Sequence, residues 1–158
     1  MQRFEMRSIG VVRSPVRDRV DDVWGDVVST IELDERFGAE ALAGLEDFSH
    51  AIVVYLFHEI AEDSVETGSR RPRNNPAWPL VGIFAQRGSR RPNRIGVSIV
   101  EIRSVTDRTV TVARLDAIDG TPVLDIKPYM REFEPAGETR QPEWAVEVMS
   151  SYWGSGPV

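Results

Sequence analysis

Apolar and polar positions alternate in short runs along this chain, broken often by turn-forming residues, so strands dominate and helix is scarce. The first run, residues 8–13, ends at Ser14-Pro15, where proline removes a ladder donor. Val27, Ser29, Ile31 and Leu33 then alternate with Val28, Thr30 and Glu32, as a strand with one wetter face would. Asp34 stands where it can cap a short helix over 35–42 that stops at Gly44. Residues 49–60 are rich in Val, Ile, Tyr and Phe without polar interruption, which predicts a central strand covered on both faces.

A long connection, 61–79, holds Gly, Ser, Arg, Asn and three prolines. Structureless segments of that length in a compact domain are usually functional or mobile. Residues 80–85 read as a short apolar strand, and 86–94 as a second polar loop. A strong hairpin follows: 97–105, a turn around Thr106-Asp107-Arg108, then 109–117 with Val110, Val112 and Leu115. Asp119-Gly120 marks another turn and 123–126 a short strand closed by Pro128. The pattern over 142–153 predicts a helix with Pro142 in its first turn and Trp144, Val148 and Tyr152 on one face. Together these elements predict a mainly β fold, a small closed or half-open β-barrel with one short helix and one C-terminal helix. A chain of 158 residues fits a single domain over 1–158, with its core at about 8–129.

Composition narrows the chemistry. The absence of cysteine excludes disulfides, thiolate zinc sites, iron–sulfur clusters and thiol nucleophiles. Apolar content is ordinary at 41%, no run approaches the ~20 apolar residues of a membrane span, and the start lacks a signal-peptide core, so the expected location is the cytoplasm. Charge is uneven. Residues 70–94 hold seven arginines and no acid, so the rest of a chain of net charge -6 carries -13. That distribution suits a focused anion-binding patch better than a non-specific coating of nucleic acid.

No G-x-G-x-x-G follows a strand, and Lys127 lacks the glycines of a phosphate loop. His58-Glu59 begins like H-E-x-x-H, but Glu62 stands where the second histidine belongs. His50 and His58, eight strand steps apart, would lie about 26 Å from each other, too far to share a metal. No metal site is expected. A histidine hydrogen-bonded at a strand end is the plainer reading of each. The arginine cluster is read either as a solvated loop paired with the acid surplus or as an anion grip. Asn74-Asn75-Pro76 and Pro92-Asn93-Arg94 favour the grip, because they set turns and free backbone amides beside guanidinium groups. Trp78 and Phe84 are placed to stack on a base, although a ring near a strand is more often core.

Five ordered blocks carry a resemblance. They are I-G-V-V-R-S-P at 9–15, G-L-E-D-F-S-H at 44–50, G-I-F-A-Q-R at 82–87, R-P-N-R-I-G at 91–96 and D-G-T-P-V-L-D-I-K-P-Y at 119–129. Together they resemble the TsaA/TrmO family of β-barrel methyltransferases that use S-adenosylmethionine, usually as homodimers. The best-known members methylate N6 of threonylcarbamoyladenosine beside the anticodon of tRNA. The resemblance implies S-adenosylmethionine as cofactor, held by His58, Glu59, Arg87, Val97, Asp119, Gly120, Thr121 and Pro122. It leaves Arg91, Asn93, Arg94 and Lys127 for the acceptor. Three departures stand out: residues 17–26 read R-D-R-V-D-D-V-W-G-D in place of a P-R-Q-P-G-like segment, and Gly88 and Arg94 replace a serine and a proline. Longer members also carry a C-terminal domain implicated in tRNA engagement, whereas about thirty residues follow Tyr129 here.

The sulfonium donor is already activated, so the protein must chiefly orient a nucleophile and exclude water. An N6 amine conjugated to a carbamoyl group gains from an acceptor for its proton, and Asp125 and Tyr129 are the candidates. Pairing with Lys127 or capping of a turn is an equal alternative for Asp125. Rival functions are methylation of a small molecule, RNA binding by a non-catalytic barrel, and a structural interaction module. The implied partners are tRNA or a small acceptor, and a second copy of the chain.

Overall fold

The computed structural model describes residues 2–155. Its elements are β1 (Gly10–Arg13), β2 (Val28–Leu33), β3 (His50–Leu56), β4 (Ser69–Arg70), β5 (Val81–Gly82), β6 (Ile95–Thr106), β7 (Thr109–Ala113), β8 (Pro122–Pro128) and the helix α1 (Glu143–Val148). Six of the strands close a barrel in the order β1-β2-β7-β6-β3-β8, with every neighbouring pair antiparallel. Closure is made by β1 against β8, where Gly10 faces Val123 and Val11 faces Pro122. Ile9 N–H to the Val123 carbonyl (2.7 Å) and Val12 N–H to the Thr121 carbonyl (2.9 Å) secure that seam. A closed barrel removes the unpaired edges that a six-stranded open sheet would present.

Strand alternation fills the interior. Val12, Ile31, Val53, Tyr55, Val100, Val112 and Val123 point inward and are fully buried. In β2 the predicted split holds: Ser29, Ile31 and Leu33 are buried, while Val28 and Glu32 face solvent. A second, smaller cluster of Val16, Trp24, Val27 and Ile118, with Tyr152 packed against it, seats the segment between β1 and β2 over one mouth of the barrel.

Several elements are shorter than their sequence pattern. The helix over 35–42 is a single 3-10 turn, Ala39–Leu42, because Gly38 ahead of it is extended (φ -79, ψ 170). Asp34 accepts from Arg36 N–H (3.1 Å), so it caps a turn instead of a helix. The central strand stops at Leu56, where Phe57 N–H turns to the Arg94 carbonyl (2.8 Å), and its outward residues Ile52, Val54 and Leu56 are only half-buried. The predicted strand 80–85 is reduced to β5, which pairs with β4 outside the barrel, so the 61–79 connection is partly structured. The C-terminal helix ends at Val148, and tight turns such as Ser150 N–H to the Glu147 carbonyl (3.1 Å) carry the chain to Tyr152. Among the described residues no helix is long and apolar enough to cross a membrane, and no group of three or more His, Asp or Glu residues is arranged to hold a metal ion.

Candidate functional site

Antiparallel closure brings six strand ends to one mouth of the barrel: the exits of β1, β3 and β7 and the entries to β2, β6 and β8. Asp119 and Gly120 form the turn into β8. Gly120 takes φ +78, a left-handed conformation open to glycine at little cost. A Cβ built on Gly120 would sit 3.8 Å from His58 Nε2, an ordinary contact distance, so the turn and the imidazole lie side by side. The turn is fixed from below. Asp119 Oδ1 accepts from Ser14 N–H (3.1 Å), Asp119 N–H bonds the Val16 carbonyl (2.8 Å), and Thr121 is buried.

Arg87 reaches this mouth from the loop before β6 and donates Nη2–H to the Val97 carbonyl (2.6 Å). The Val97 side chain points the other way, onto the outer wall of the barrel opposite Val54. Only its main chain meets Arg87. Glu59 is exposed and pairs at 3.8 Å with Arg19, a residue of the divergent 17–26 segment, which thereby forms one rim of the mouth. That segment is also tied to the arginine loop, because Arg73 forks onto Asp22 with N–O distances of 2.8 and 2.7 Å.

A network that the sequence reading missed lies under the same mouth. Asp116 accepts hydroxyl hydrogens from Tyr55, Ser98 and Tyr152. Burial first, and then the Asp116 charge, push both phenols far above the ordinary tyrosine range, an effect offset in part by the nearby Arg87 guanidinium. Both are hydrogen-bond donors at all ordinary pH values. The signal in the sequence was the lone carboxylate in the apolar run Leu115-Asp116-Ala117-Ile118.

The residues expected to meet the acceptor divide. Asn93 lies in the exposed turn before Arg94, and Arg91 donates to the Gln86 carbonyl (2.9 Å). Arg94 bonds the Ile60 carbonyl (2.7 Å) and Glu62 (3.1 Å), and so braces two loops. Asp125 and Tyr129 are not brought to the mouth that carries His58 and Gly120. Asp125 lies about 13 Å along β8 from Thr121, by strand rise alone. It faces outward, paired with Lys127 at 2.6 Å, at the edge of a cleft of ≈ 550 Å³ under the opposite mouth. Tyr129 follows β8 at that far mouth, beside His50 (ring centroids 6.4 Å apart), and donates its hydroxyl to Glu134 (2.7 Å). That hydrogen bond raises its pKa, so it is a proton donor and not a base at neutral pH. His50 opens β3, and His58 lies two residues past its end at Leu56, so the eight strand steps expected between them are not all strand.

The comparisons with known proteins agree with this barrel. The chain is 35% identical over 143 residues to the tRNA (adenine(37)-N6)-methyltransferase of Escherichia coli, an alignment covering 82% of this chain and 59% of that protein. It is 37% identical over 141 residues to a probable S-adenosyl-L-methionine-binding protein of Methanothermobacter thermautotrophicus, covering 85% of this chain and 96% of that one. A crystal structure of TrmO from Pseudomonas aeruginosa superposes with a TM-score of 0.69 at 30% identity, over 88% of this chain and 62% of that chain. The chain thus spans about six-tenths of the length of the E. coli and P. aeruginosa proteins. Residues 13–135 match the model of the tRNA-methyltransferase O N-terminal domain, and on this match, with the barrel and the five motif blocks, the chain belongs to that family.

Proposed function

We propose that this chain is an S-adenosylmethionine-dependent tRNA methyltransferase whose donor site is the mouth bounded by His58, Arg87 and the Asp119–Pro122 turn, and whose acceptor is N6 of threonylcarbamoyladenosine beside the anticodon. The observation that carries this reading is the close approach of the Gly120 turn to His58, whose Nε2 lies 3.8 Å from where a Cβ on Gly120 would sit. The residues around it suit the donor. Arg87 has only a carbonyl partner and keeps donors for a carboxylate, His58 has no hydrogen-bond partner among the described residues, and the glycine leaves room for close approach.

When bound, S-adenosylmethionine supplies a sulfonium-activated methyl group. The chain's own task is to orient and to exclude water. The Trp24 cluster and the Tyr152 segment roof part of the mouth, and the Asp116 hydroxyl network holds the walls at fixed spacing.

The tRNA acceptor is favoured by the E. coli relative's name and by the arginine loop. Of its seven arginines, only Arg73 and Arg94 meet a carboxylate among the described residues, so five positive charges stay uncompensated. A small acceptor is the second reading, favoured because the archaeal relative of matching length is named only for S-adenosyl-L-methionine binding.

We propose a homodimer as well. The C-terminal helix no longer argues for it, since that segment docks on its own chain. The outer wall does, with Val97 40% and Ile99 53% exposed beside half-buried Ile52 and Val54. Asp125 and Lys127 share the outward side of β8, so such a dimer would present Asp125 to the partner subunit as a proton acceptor.

The test incubates the protein and labelled S-adenosylmethionine with total tRNA from a strain lacking the gene, alongside a small-metabolite extract. Label in tRNA alone is the expected result. Label confined to the metabolites sinks the tRNA acceptor and leaves methyl transfer standing, whereas no donor binding by calorimetry at millimolar ligand ends the methyltransferase reading.

A further inference from the structure

Phe84 is 79% exposed, yet it is one of the best-fixed positions outside the barrel. Its neighbour Ile83 is 2% exposed and bonds through N–H to the Gly68 carbonyl (2.9 Å). The 3-10 turn Ile83–Ala85 is closed by Gln86 N–H to the Ile83 carbonyl (3.2 Å). The Gln86 side-chain amide then donates to the carbonyls of Arg70 and Val81, both at 3.0 Å, and Arg91 donates to the Gln86 carbonyl (2.9 Å). Five hydrogen bonds thus hold the turn that carries a ring pointed at solvent. Leu80, 61% exposed, lies on the same flap.

A single exposed apolar side chain needs no explanation by itself. This one stands in the 70–94 segment, among Arg70, Arg71, Arg87, Arg90 and Arg91, none of which meets a carboxylate among the described residues. Four of their side chains donate to carbonyl or amide oxygens, and Arg90 to no group among the described residues; such bonds orient a guanidinium without cancelling its charge. A rigid aromatic face in a segment of uncompensated positive charges, four of them oriented by hydrogen bonds and Arg90 free to reach outward, matches a nucleotide strand, whose bases stack and whose phosphates need cations. A second copy fits less well. Two such faces meeting symmetrically would oppose like charges, and a head-to-tail contact would not close.

We infer that Phe84 is a stacking platform for an unpaired base of the RNA acceptor, with Arg90 meeting a phosphate beside it. This inference rests on the tRNA reading above and adds the surface by which the acceptor strand is held. Because the turn is pre-ordered by its hydrogen bonds, little conformational entropy is lost on stacking.

The test measures binding of fluorescein-labelled bulk tRNA by anisotropy over a salt series, with calorimetry for S-adenosylmethionine and light scattering for assembly. Phe84→Ala should weaken tRNA binding about tenfold with the salt slope unchanged, and Phe84→Trp should restore it. Arg90→Ala should reduce the slope of log affinity against log salt by roughly 0.7–0.9. Donor affinity should stay at the parent value in all three, since an exposed ring and an exposed cation on the flap are being removed. Parent-level tRNA affinity in Phe84→Ala overturns the inference alone. A loss of affinity that accompanies dissociation of a dimer overturns it in favour of a second copy covering the ring. Donor binding without tRNA binding by the parent protein removes the tRNA reading and this inference together.

Discussion

Tyr152 donates its hydroxyl to Asp116, a carboxylate 36 residues earlier in the chain, and so ties the C-terminal segment to the floor of the mouth. The tie is reinforced by main-chain bonds, Trp24 N–H to the Tyr152 carbonyl (2.9 Å) and Val23 N–H to the Ser151 carbonyl (3.3 Å). Arg114 also stacks over the Trp153 ring at 4.4 Å. Asp116 serves three hydroxyls at once, so the two partners are not equivalent. Tyr152→Phe removes one donor and should cost on the order of 1 kcal/mol in urea denaturation. Asp116→Ala strands three donors and should cost several-fold more, with the double variant clearly less than additive. Equal losses in the two single variants would show that Asp116 is not the hub.

The same network sets a high-pH limit on stability. Tyr55 and Tyr152 have folded pKa values raised above the ordinary value near 10, chiefly by burial and then by the Asp116 charge. A group whose folded pKa is raised contributes stability that is fully present below its unfolded pKa and is lost as pH rises toward the folded value. Unfolding free energy should therefore hold level up to about pH 9.5 and fall above pH 10, at a slope approaching about 1.4 kcal/mol per pH unit for each phenol. Tyr152→Phe should reduce that slope by half. A flat profile from pH 9 to 11 would contradict the buried placement of both rings.

The barrel was legible because its strands alternate cleanly, as β2 and the β6–β7 hairpin do, and because glycine and proline mark their ends. What was not legible came from long-range contacts. Residues 80–85 read as a core strand on composition, but β6 already pairs with β3 on one edge and β7 on the other. Leu80 and Phe84 are therefore left outside. The 35–42 helix failed at Gly38, which is extended. At the candidate site, Arg87 and Gly120 lie in motif blocks, and His58 was expected from the resemblance alone. The separation of Asp125 and Tyr129 from them needed the direction of β8, which carries position 129 to the far mouth. Asp116 was hidden because its partners come from β3, β6 and the C-terminal turn.

Ser29 is inside the barrel with its hydroxyl buried and without a hydrogen-bond partner among the described residues. An orphaned buried hydroxyl costs roughly 1–3 kcal/mol of desolvation, and removing it leaves only a small void among Ile31, Val112 and their neighbours. Ser29→Ala should therefore stabilise the protein, by about 1 kcal/mol in denaturant. A lower unfolding midpoint than the parent would mean that the hydroxyl has a partner, such as a buried water.

Gly96, in the R-P-N-x-I-G block, is required by packing. A Cβ there would lie 2.3 Å from Tyr55 Cε2, well inside contact distance, and the ring cannot yield without withdrawing its hydroxyl from Asp116. Gly96→Ala should destabilise by about 2–4 kcal/mol, the range of an overpacked core with a broken buried hydrogen bond. Thermal unfolding checks the loss. Combining it with Tyr55→Phe should recover little, since the clash is with the ring and not with its oxygen.

Arg87 and Arg94 belong to one loop and face different tasks, which calorimetry and denaturation can separate. Arg87 rests on a single carbonyl at the edge of the mouth, and Arg94 is pinned between the Ile60 carbonyl and Glu62 with one-fifth of its side chain exposed. Arg87→Ala should keep the parent unfolding midpoint and lose about 1.5–3 kcal/mol of affinity for S-adenosylmethionine, the worth of a charge-assisted hydrogen bond. Arg94→Ala should instead lower stability by roughly 1–2 kcal/mol, because the Ile60 carbonyl is left unpaired beside a buried side chain. The expectation that Arg94 holds the acceptor then gives way to a strut that sets the distance between the β3 exit and the β6 entry. If Arg94→Ala unfolds with the parent while tRNA affinity drops, the strut is wrong and the arginine is free to reach the acceptor.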